Sequence, residues 1–486
     1  MKTSIVWLRR DLRLSNNPAL HRALSNSERV ILLYIHAPQE SAPWQPGAAS
    51  RWWLHHSLIG LQQSVEKRGG QLLIHRGPTI STLLHLCQKL NAGAVYWNKA
   101  YTPEEINLEQ DLSDQLAEHH IQHHTFHGSL LHPPGSILNK EGNPYRVFTA
   151  FWNASQRLQL QHTMFPAPQR LFDCELESEP LDALELLPMI GWDTGLRQHW
   201  QPGEKYALRQ LERLCDELVN DYTRQRDYPA INGTARLSPH LAFGEITPQQ
   251  IIETLRNSFM SGAVHGGASE AMIRQLGWRE FAYHTLYHFP QSTQQVLNRR
   301  FEHFPWQNAP SLLEAWQKGR TGIPIIDAGM RELWYSGWMH NRVRMIVASF
   351  LCKNGLVPWQ EGARWFWDTL VDADLAINSL NWQWVAGTGL DAAPYFRIFN
   401  PITQSHKFDA DGRYIRRWLP ELTSLPNKHI HAPWLAPASV LQACKLNIGI
   451  DYPEPALDLK ETRKQALACF KGSQAIHKGK VLDINP

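Results

Sequence analysis

The fold class this sequence predicts is an α/β domain built on a parallel sheet, followed by an all-α domain. Three observations predict it. The 486 residues exceed what one ordinary hydrophobic core holds. Short apolar runs alternate with amphipathic segments through the first third of the chain. Beyond Gly203 the signals are almost wholly helical.

The elements follow in order. Ser4-Ile-Val-Trp-Leu reads as a short buried strand, followed by Arg9-Arg-Asp-Leu-Arg and a helix entered at Asn17-Pro18. Val30 to Ile35, Gln71 to Ile74 and Ala94 to Trp97 read as further strands with amphipathic segments between them. Apolar runs of this kind suit a Rossmann-like parallel sheet covered on both faces. No G-x-G-x-x-G follows the first strand, so ordinary dinucleotide binding there is not expected. From about Leu130 the pattern breaks up. His132-Pro-Pro-Gly, Phe165-Pro-Ala-Pro and the acidic stretch from Asp173 to Glu185 read as a long linker. The expected division is an α/β domain over 1–130, a linker over 131–200 and a helical domain over 201–486. Ser238-Pro239 and Thr247-Pro248 each combine a capping hydroxyl with proline at the first helical position. His119-His120 and His123-His124 lack a ligand set and read as solvated surface.

Composition removes several classes. With 43% hydrophobic and 19% charged residues the chain is globular, neither fibrous nor disordered. A net charge of +3 means that nucleic-acid binding would need a local basic patch. Cys87, Cys174, Cys215, Cys352, Cys444 and Cys469 are scattered without a C-x-x-C, so no zinc site, iron–sulfur cluster or disulfide framework is expected. Arg9-Arg10 interrupts the apolar start, which is unlike a signal peptide, and the run from Met345 to Cys352 is too short to span a bilayer. A soluble cytoplasmic protein is the expectation. The 20 tryptophans are the unusual feature, open to core packing, redox chemistry or base stacking.

Four segments carry candidate chemistry. Gly233-Thr-Ala-Arg-Leu-Ser238-Pro239 offers backbone N–H groups at a helix start, which suit phosphate oxygens, although a plain capped loop explains it more simply on its own. Met272, Gln275 and Arg279 share one face of a helix, with Trp278 beside Gln275. That face suits a planar polar ligand or an exposed crossing between domains. Trp338, Asn341 and Met345 fall at helical spacing beside Arg342 and Arg344, as either a core stripe or a site. Asp374, Asn378 and Trp382 stand in register at i, i+4 and i+8. The aspartates Asp372 and Asp374 suit acid–base chemistry, magnesium or an acidic cap before Leu375.

Together, in this order and spacing, these segments resemble the DNA photolyase/cryptochrome family, most nearly its class I cyclobutane pyrimidine dimer photolyases. The likeness runs from Trp7-Leu-Arg-Arg-Asp-Leu-Arg to Ile398-Phe-Asn-Pro-Ile-Thr-Gln404, with Asp391-Ala-Ala-Pro-Tyr-Phe-Arg397 especially characteristic. The resemblance implies FAD in the helical domain. Tyr222, Thr234, Ala235, Arg236, Leu237 and Ser238 match positions around its phosphates and ribityl chain. Met272 falls where many members have tryptophan. Gln275, Arg279, Asn341 and Arg344 match cofactor-side positions, with Arg344 pairing with Asp372. Ala373 and Asp374 would meet the polar end of the isoalloxazine, and Asn378 its N5. Plant cryptochromes carry aspartate at that last position and animal ones commonly cysteine.

The implied reaction is light-driven repair of cyclobutane dimers by one electron from excited, reduced FAD, returned afterwards. Trp382, Trp359 and Trp306 resemble the family's electron relay, from flavin outward. Arg226, Arg342, Arg397 and Gln404 match DNA contacts, and Gln275, Trp278, Met345 and Trp384 the pocket for the extruded dimer. The expected partner is UV-damaged DNA, single- or double-stranded, bound by a monomer. Gln275 departs from the glutamate usual in cyclobutane photolyases and matches many (6-4) photolyases. Asn341 and Met345 stand where animal-type (6-4) enzymes carry histidines, which favours the cyclobutane lesion. A signalling cryptochrome with little repair, or a (6-4) photolyase, is the alternative; Asn378 and the short stretch after Phe470 oppose the cryptochrome. An antenna chromophore of folate or deazaflavin type is expected in the α/β domain, with Arg51 and Glu109 in the candidate region.

Overall fold

The computed structural model describes residues 3–158, 163–172, 176–188, 190–392 and 397–477, so Cys174 and residues 393–396 of the characteristic motif lie outside the described part. Two compact units divide the chain. The first comprises Met1–Thr223, Ala235–Pro290 and Val371–Ala376; the second comprises Arg224–Thr234, Gln291–Leu370 and Ile377–Pro486.

The first unit is built on five parallel strands: β1 (Thr3–Leu8), β2 (Arg29–His36), β3 (Leu72–Arg76), β4 (Ala92–Asn98) and β5 (Gln122–Phe126). They alternate with α1 (Pro18–Asn26), α2 (Ala48–Glu66), α3 (Thr79–Leu90) and α4 (Pro103–Glu118), and their spatial order is β3-β2-β1-β4-β5. The α/β expectation holds. All six residues of β1 are buried, and Ile5, Trp7, Ile31, Leu33, Val95 and Trp97 share one core cluster. Burial on both faces is why these strands read as continuous apolar runs rather than alternating ones. The sequence reading missed β5. Its residues Gln122-His-His-Thr-Phe carry no apolar run because an edge strand leaves Gln122 and His123 exposed.

Charged residues after β1 pin the unit together. Arg13 is fully buried and donates to the carbonyls of Asn16, Gly128 (2.7 Å) and Gly244 (2.9 Å). Gly244 has φ +62°, and a Cβ there would strike the Arg10 carbonyl, so only glycine fits this close approach. The order of strands reverses between β1 and β4, where open α/β sheets ordinarily leave a crevice. Here side chains occupy it. Asn98 donates to Asp11 (2.6 Å) and Asn17 (2.8 Å), and Arg9 reaches the Asn98 carbonyl and Glu109 (2.5 Å).

The stretch read as a linker carries structure of its own. It contains α5 (Phe148–Ser155) and α6 (Thr194–His199), too short and too closely flanked by polar and proline-rich sequence to show a periodic signal. The first unit continues with α7 (Glu204–Arg213) and the short α8 (Tyr222–Gln225), which begins here and ends in the second unit. It then resumes with α9 (Ser238–Ala242), α10 (Pro248–Met260) and α11 (Gly266–His288). Thr247 caps α10 reciprocally with Gln250, as its sequence predicts.

The second unit is helical. It holds α12 (Pro310–Gln317), α13 (Pro324–Ser336), α14 (Asn341–Ser349), α15 (Trp359–Thr369) and most of α16 (Leu375–Ala386), then α17 (Pro401–Phe408) and α18 (Arg413–Trp418). Three more helices, α19 (Asn427–Ile430), α20 (Ala438–Ala443) and α21 (Leu459–His477), complete it. Among the described residues no helix is long and apolar enough to cross a membrane.

Candidate functional site

In the first unit, α11 organises the residues assigned to the flavin. Tyr222, Ala235, Leu237 and Met272 share one buried cluster with Leu276. Arg279, 6% exposed, donates from Nη1 to the Ser129 carbonyl at 2.9 Å, and its Nε is buried without a hydrogen-bond partner among the described residues. Next to it, the Glu280 carboxyl is pushed up to about 7 by burial, against the pull of Arg279 and the donating N–H groups of Leu131 and His132. Gln275 is half-buried, with Nε2 3.3 Å from the Ala271 carbonyl. Trp278 lies flat on Phe148 at 3.7 Å between ring centroids, so one face of that indole is already used in packing.

The segment Val371–Ala376 is held in the same unit. Ser238 Oγ donates to Asp372 at 2.7 Å, Tyr283 Oη donates to Asp374 at 2.6 Å, and Arg10 Nη1 lies 3.4 Å from the Ala373 carbonyl. Tyr283 was not singled out from the sequence. Its signal was there, since Gln275, Arg279 and Tyr283 step by four along α11. Ser238 does not cap α9. Leu237 precedes the helix with no side-chain cap, and the Ser238 hydroxyl turns to Asp372 instead. Arg236 takes a left-handed φ of +50°, and its guanidinium lies 5.8 Å from the Trp200 ring. Among the antenna candidates, Arg51 donates to the Pro46 carbonyl at 3.0 Å. Glu109 accepts from Arg9 and from the Ala100 N–H, which makes it a brace at the end of β4 rather than a carboxylate open to a ligand.

In the second unit, α14 begins at Asn341, capped by His340, whose Nδ1 accepts from the Arg342 N–H at 3.2 Å. Trp338 therefore precedes the helix and does not share a face with Asn341 and Met345, contrary to the helical register expected there. A histidine cap between them carries no strong sequence signal, which is why the spacing misled. Asn341 is exposed; Arg344 donates from Nε to the Met339 carbonyl at 2.7 Å. Arg342 pairs with Asp227 at 2.7 Å and lies over the Phe408 ring at 4.5 Å, with Met345 Sδ 3.9 Å from its Nη1. Arg226, Gln404 and Trp384 are half-buried, Arg397 is exposed, and Thr234 is half-buried. Lys353 donates to the Arg397 carbonyl.

Asn378 donates from Nδ2 to the Ala363 carbonyl at 3.0 Å, which leaves its Oδ1 as an acceptor. One turn on, Trp382 is 3% exposed and packs edge-on against Phe366 (5.0 Å) and Trp316 (6.2 Å). It sits directly over Gly362, where an added Cβ would lie 2.1 Å from the indole. Trp359 is fully buried with its Nε1 unpartnered among the described residues, and Trp306 is half-buried.

Two family models match the chain, "DNA photolyase" over residues 4–169 and "FAD binding domain of DNA photolyase" over residues 272–472. A deoxyribodipyrimidine photo-lyase of Agrobacterium fabrum is 43% identical over 469 residues, covering 96% of this chain and 97% of the relative. The chain belongs to the DNA photolyase/cryptochrome family. Its relatives in the family include cryptochrome-2 of Arabidopsis thaliana, 36% identical over 96% of this chain and 78% of that protein. A bacterial class III photolyase from Agrobacterium tumefaciens has the same fold, with a TM-score of 0.94 at 42% identity and 98% coverage of both chains. The photolyase/cryptochrome expectation, its two-part architecture and its FAD-binding domain are thereby borne out.

The residues present fit that cofactor. The buried Nε of Arg279, without a partner among the described residues, is a donor of the kind that flavin carbonyl or phosphate oxygens would satisfy. The Oδ1 of Asn378, with Nδ2 taken by the Ala363 carbonyl, is an acceptor of the kind that a flavin N–H would need.

Proposed function

We propose that this chain is a deoxyribodipyrimidine photo-lyase that repairs cyclobutane pyrimidine dimers in UV-damaged DNA. When bound, reduced FAD supplies the electron that light sends to the dimer. The observation that carries the reading is Asn378, a buried neutral amide whose Nδ2 is taken by the Ala363 carbonyl, leaving its oxygen to accept. A neutral acceptor there stabilises an N–H without adding the negative charge that an aspartate would bring next to an electron-rich ring.

Other residues take roles within their own units. In the first, Tyr222 and Ala235 to Ser238 line the phosphate and ribityl side, with Met272 packed behind them; Arg279, Asp372, Ala373 and Asp374 hold the polar edge, and Gln275 and Trp278 meet the lesion. In the second, Thr234, Asn341 and Arg344 serve the cofactor, and Met345 and Trp384 the dimer. Arg226, Arg342, Arg397 and Gln404 hold DNA phosphates, and Trp382, Trp359 and Trp306 recharge the flavin. Residues 1–130 act as an antenna domain for a second chromophore and 201–486 as the catalytic region, joined through 131–200. The working form is a monomer on single- or double-stranded DNA.

A cryptochrome with little repair is the second reading. Gln275, whose amide does not titrate, stands where cyclobutane enzymes usually place a glutamate. Purified, chemically reduced protein illuminated with near-UV light on an oligonucleotide carrying one thymine dimer decides between them. Dimer loss supports repair; bound FAD without dimer loss overturns it, and the same assay on a (6-4) lesion separates a (6-4) photolyase from the cryptochrome.

A further inference from the structure

Arg342 does not wait for DNA with an open guanidinium. Its Nη2 is 2.7 Å from Asp227 Oδ1, and the Phe408 ring covers one face of the guanidinium at 4.5 Å. The Arg342 side chain is 22% exposed and that of Asp227 is 41%. Asp227 is held in place by its own segment. Tyr228 N–H closes a turn on the Gln225 carbonyl, Ile231 N–H closes a second on Tyr228, and Arg417 Nη2 donates to the Ala230 carbonyl at 3.1 Å. The neighbouring His340, buried and lowered to about 4, stays neutral at pH 7 and adds no countervailing charge.

We infer that Asp227 is a built-in competitor for the DNA phosphate at Arg342, tuning how tightly the protein holds DNA and how fast it lets go. The inference rests on the reading of Arg342 as a phosphate contact. A phosphate approaching this arginine meets a charge already neutralised, and a carboxylate beside it that repels. The contact forms only when Arg342 turns from Asp227 to the phosphate, so each phosphate gained is offset by an ion pair lost. Asp227 acts through Arg342 and touches no DNA itself.

The test compares the parent protein with D227N, R342Q and the double variant, all holding FAD, on duplex DNA with and without a dimer. D227N is expected to bind both DNAs roughly two- to fivefold more tightly, the scale of a part-exposed ion pair. Its log affinity should fall more steeply with log salt, by a slope change of about one. The gain should appear mainly as slower dissociation and should vanish in the R342Q background, because the two residues act as one unit. D227E, which keeps the charge, should bind like the parent; if D227N does not fold, Asp227→Ser carries the same expectation. Unchanged or weaker binding by D227N overturns the inference, since Asp227 would then only brace Arg342. So does an equal gain from E314Q, which removes a carboxylate from an exposed Glu314–Lys318 pair elsewhere, or a gain that persists with R342Q. If R342Q alone leaves affinity and salt slope unchanged, the reading of Arg342 itself falls; if R342Q weakens binding and D227N does nothing, only the role of Asp227 falls.

Discussion

At the scale of single residues, an indole and an amide have the most to say. Trp382 is buried one turn after Asn378 on α16, packed edge-on against Phe366 and Trp316. Replacing it with phenylalanine is therefore expected to stop light-driven reduction of oxidised flavin while chemically reduced protein still repairs dimers. Flash photolysis and a repair assay on the same sample check this, and equal loss of both would make Trp382 a packing residue only. Gln275 has two amide hydrogens, one directed at Ala271, so one remains for a dimer carbonyl. This amide should then add no pH dependence to repair by the natural protein from about pH 6 to 9, since it does not titrate. Any slope there belongs to other groups such as Glu280, whose carboxyl is pushed by burial up to about 7. Gln275→Glu should repair better at the acid end, where the carboxylic acid still donates, and lose that advantage as it ionises. Parallel pH profiles would remove this side chain from the lesion. Both residues were legible as types in a pattern. What the pattern could not give was direction: Asn378 turns on a carbonyl 15 positions away in sequence, and Tyr283 reaches Asp374 across 91.

Elements were legible where burial was uniform and illegible where it was not. The strands β1, β2 and β4 announced themselves as apolar runs; β5, exposed at the sheet edge, did not. The start of α14 was misplaced because a histidine ring, which sequence alone rarely marks as a cap, ends the stretch before it. The packing of α15 on α16 was out of reach altogether, because the need for glycine at Gly362 arises only from an indole 20 positions on. An added methyl there must push the Trp382 ring out of its slot. Gly362→Ala is expected to destabilise the protein by roughly 1–3 kcal/mol, read by urea unfolding. It should also slow flavin photoreduction, since the ring cannot keep its place. A variant of parental stability and rate would show that the slot is looser than it looks.

At the scale of the whole molecule, the two-part architecture could be read from the change of periodicity, but the packing groups the chain otherwise. The stretch from 131 to 223 and the helices through Pro290 cluster with the sheet, because partners such as Arg279 with Ser129 are far apart in sequence. Burial of ionisable groups gives the molecule a signature in pH. Burial lowers Lys353 from 10.5 to about 7, so between those values the folded chain holds fewer protons than the unfolded one. Stability should therefore rise with pH across that window, the penalty being complete below about pH 7. Lys353→Met should flatten that part of the profile relative to the parent, as measured by denaturant unfolding at pH 7, 8.5 and 10. Identical slopes would mean that the ammonium finds solvent.

The unpartnered Nε1 of Trp359 has a consequence of its own for charge separation. An indole that gives up an electron becomes a far stronger acid, yet this N–H is fully buried and meets no acceptor among the described residues. A positive hole reaching that ring would not be trapped there by loss of the proton, and would move on or fall back. Trp306, half-buried, borders solvent, where deprotonation can make the step irreversible. If the three rings form the relay, the protein rectifies the photocurrent by denying the middle ring an exit for its proton.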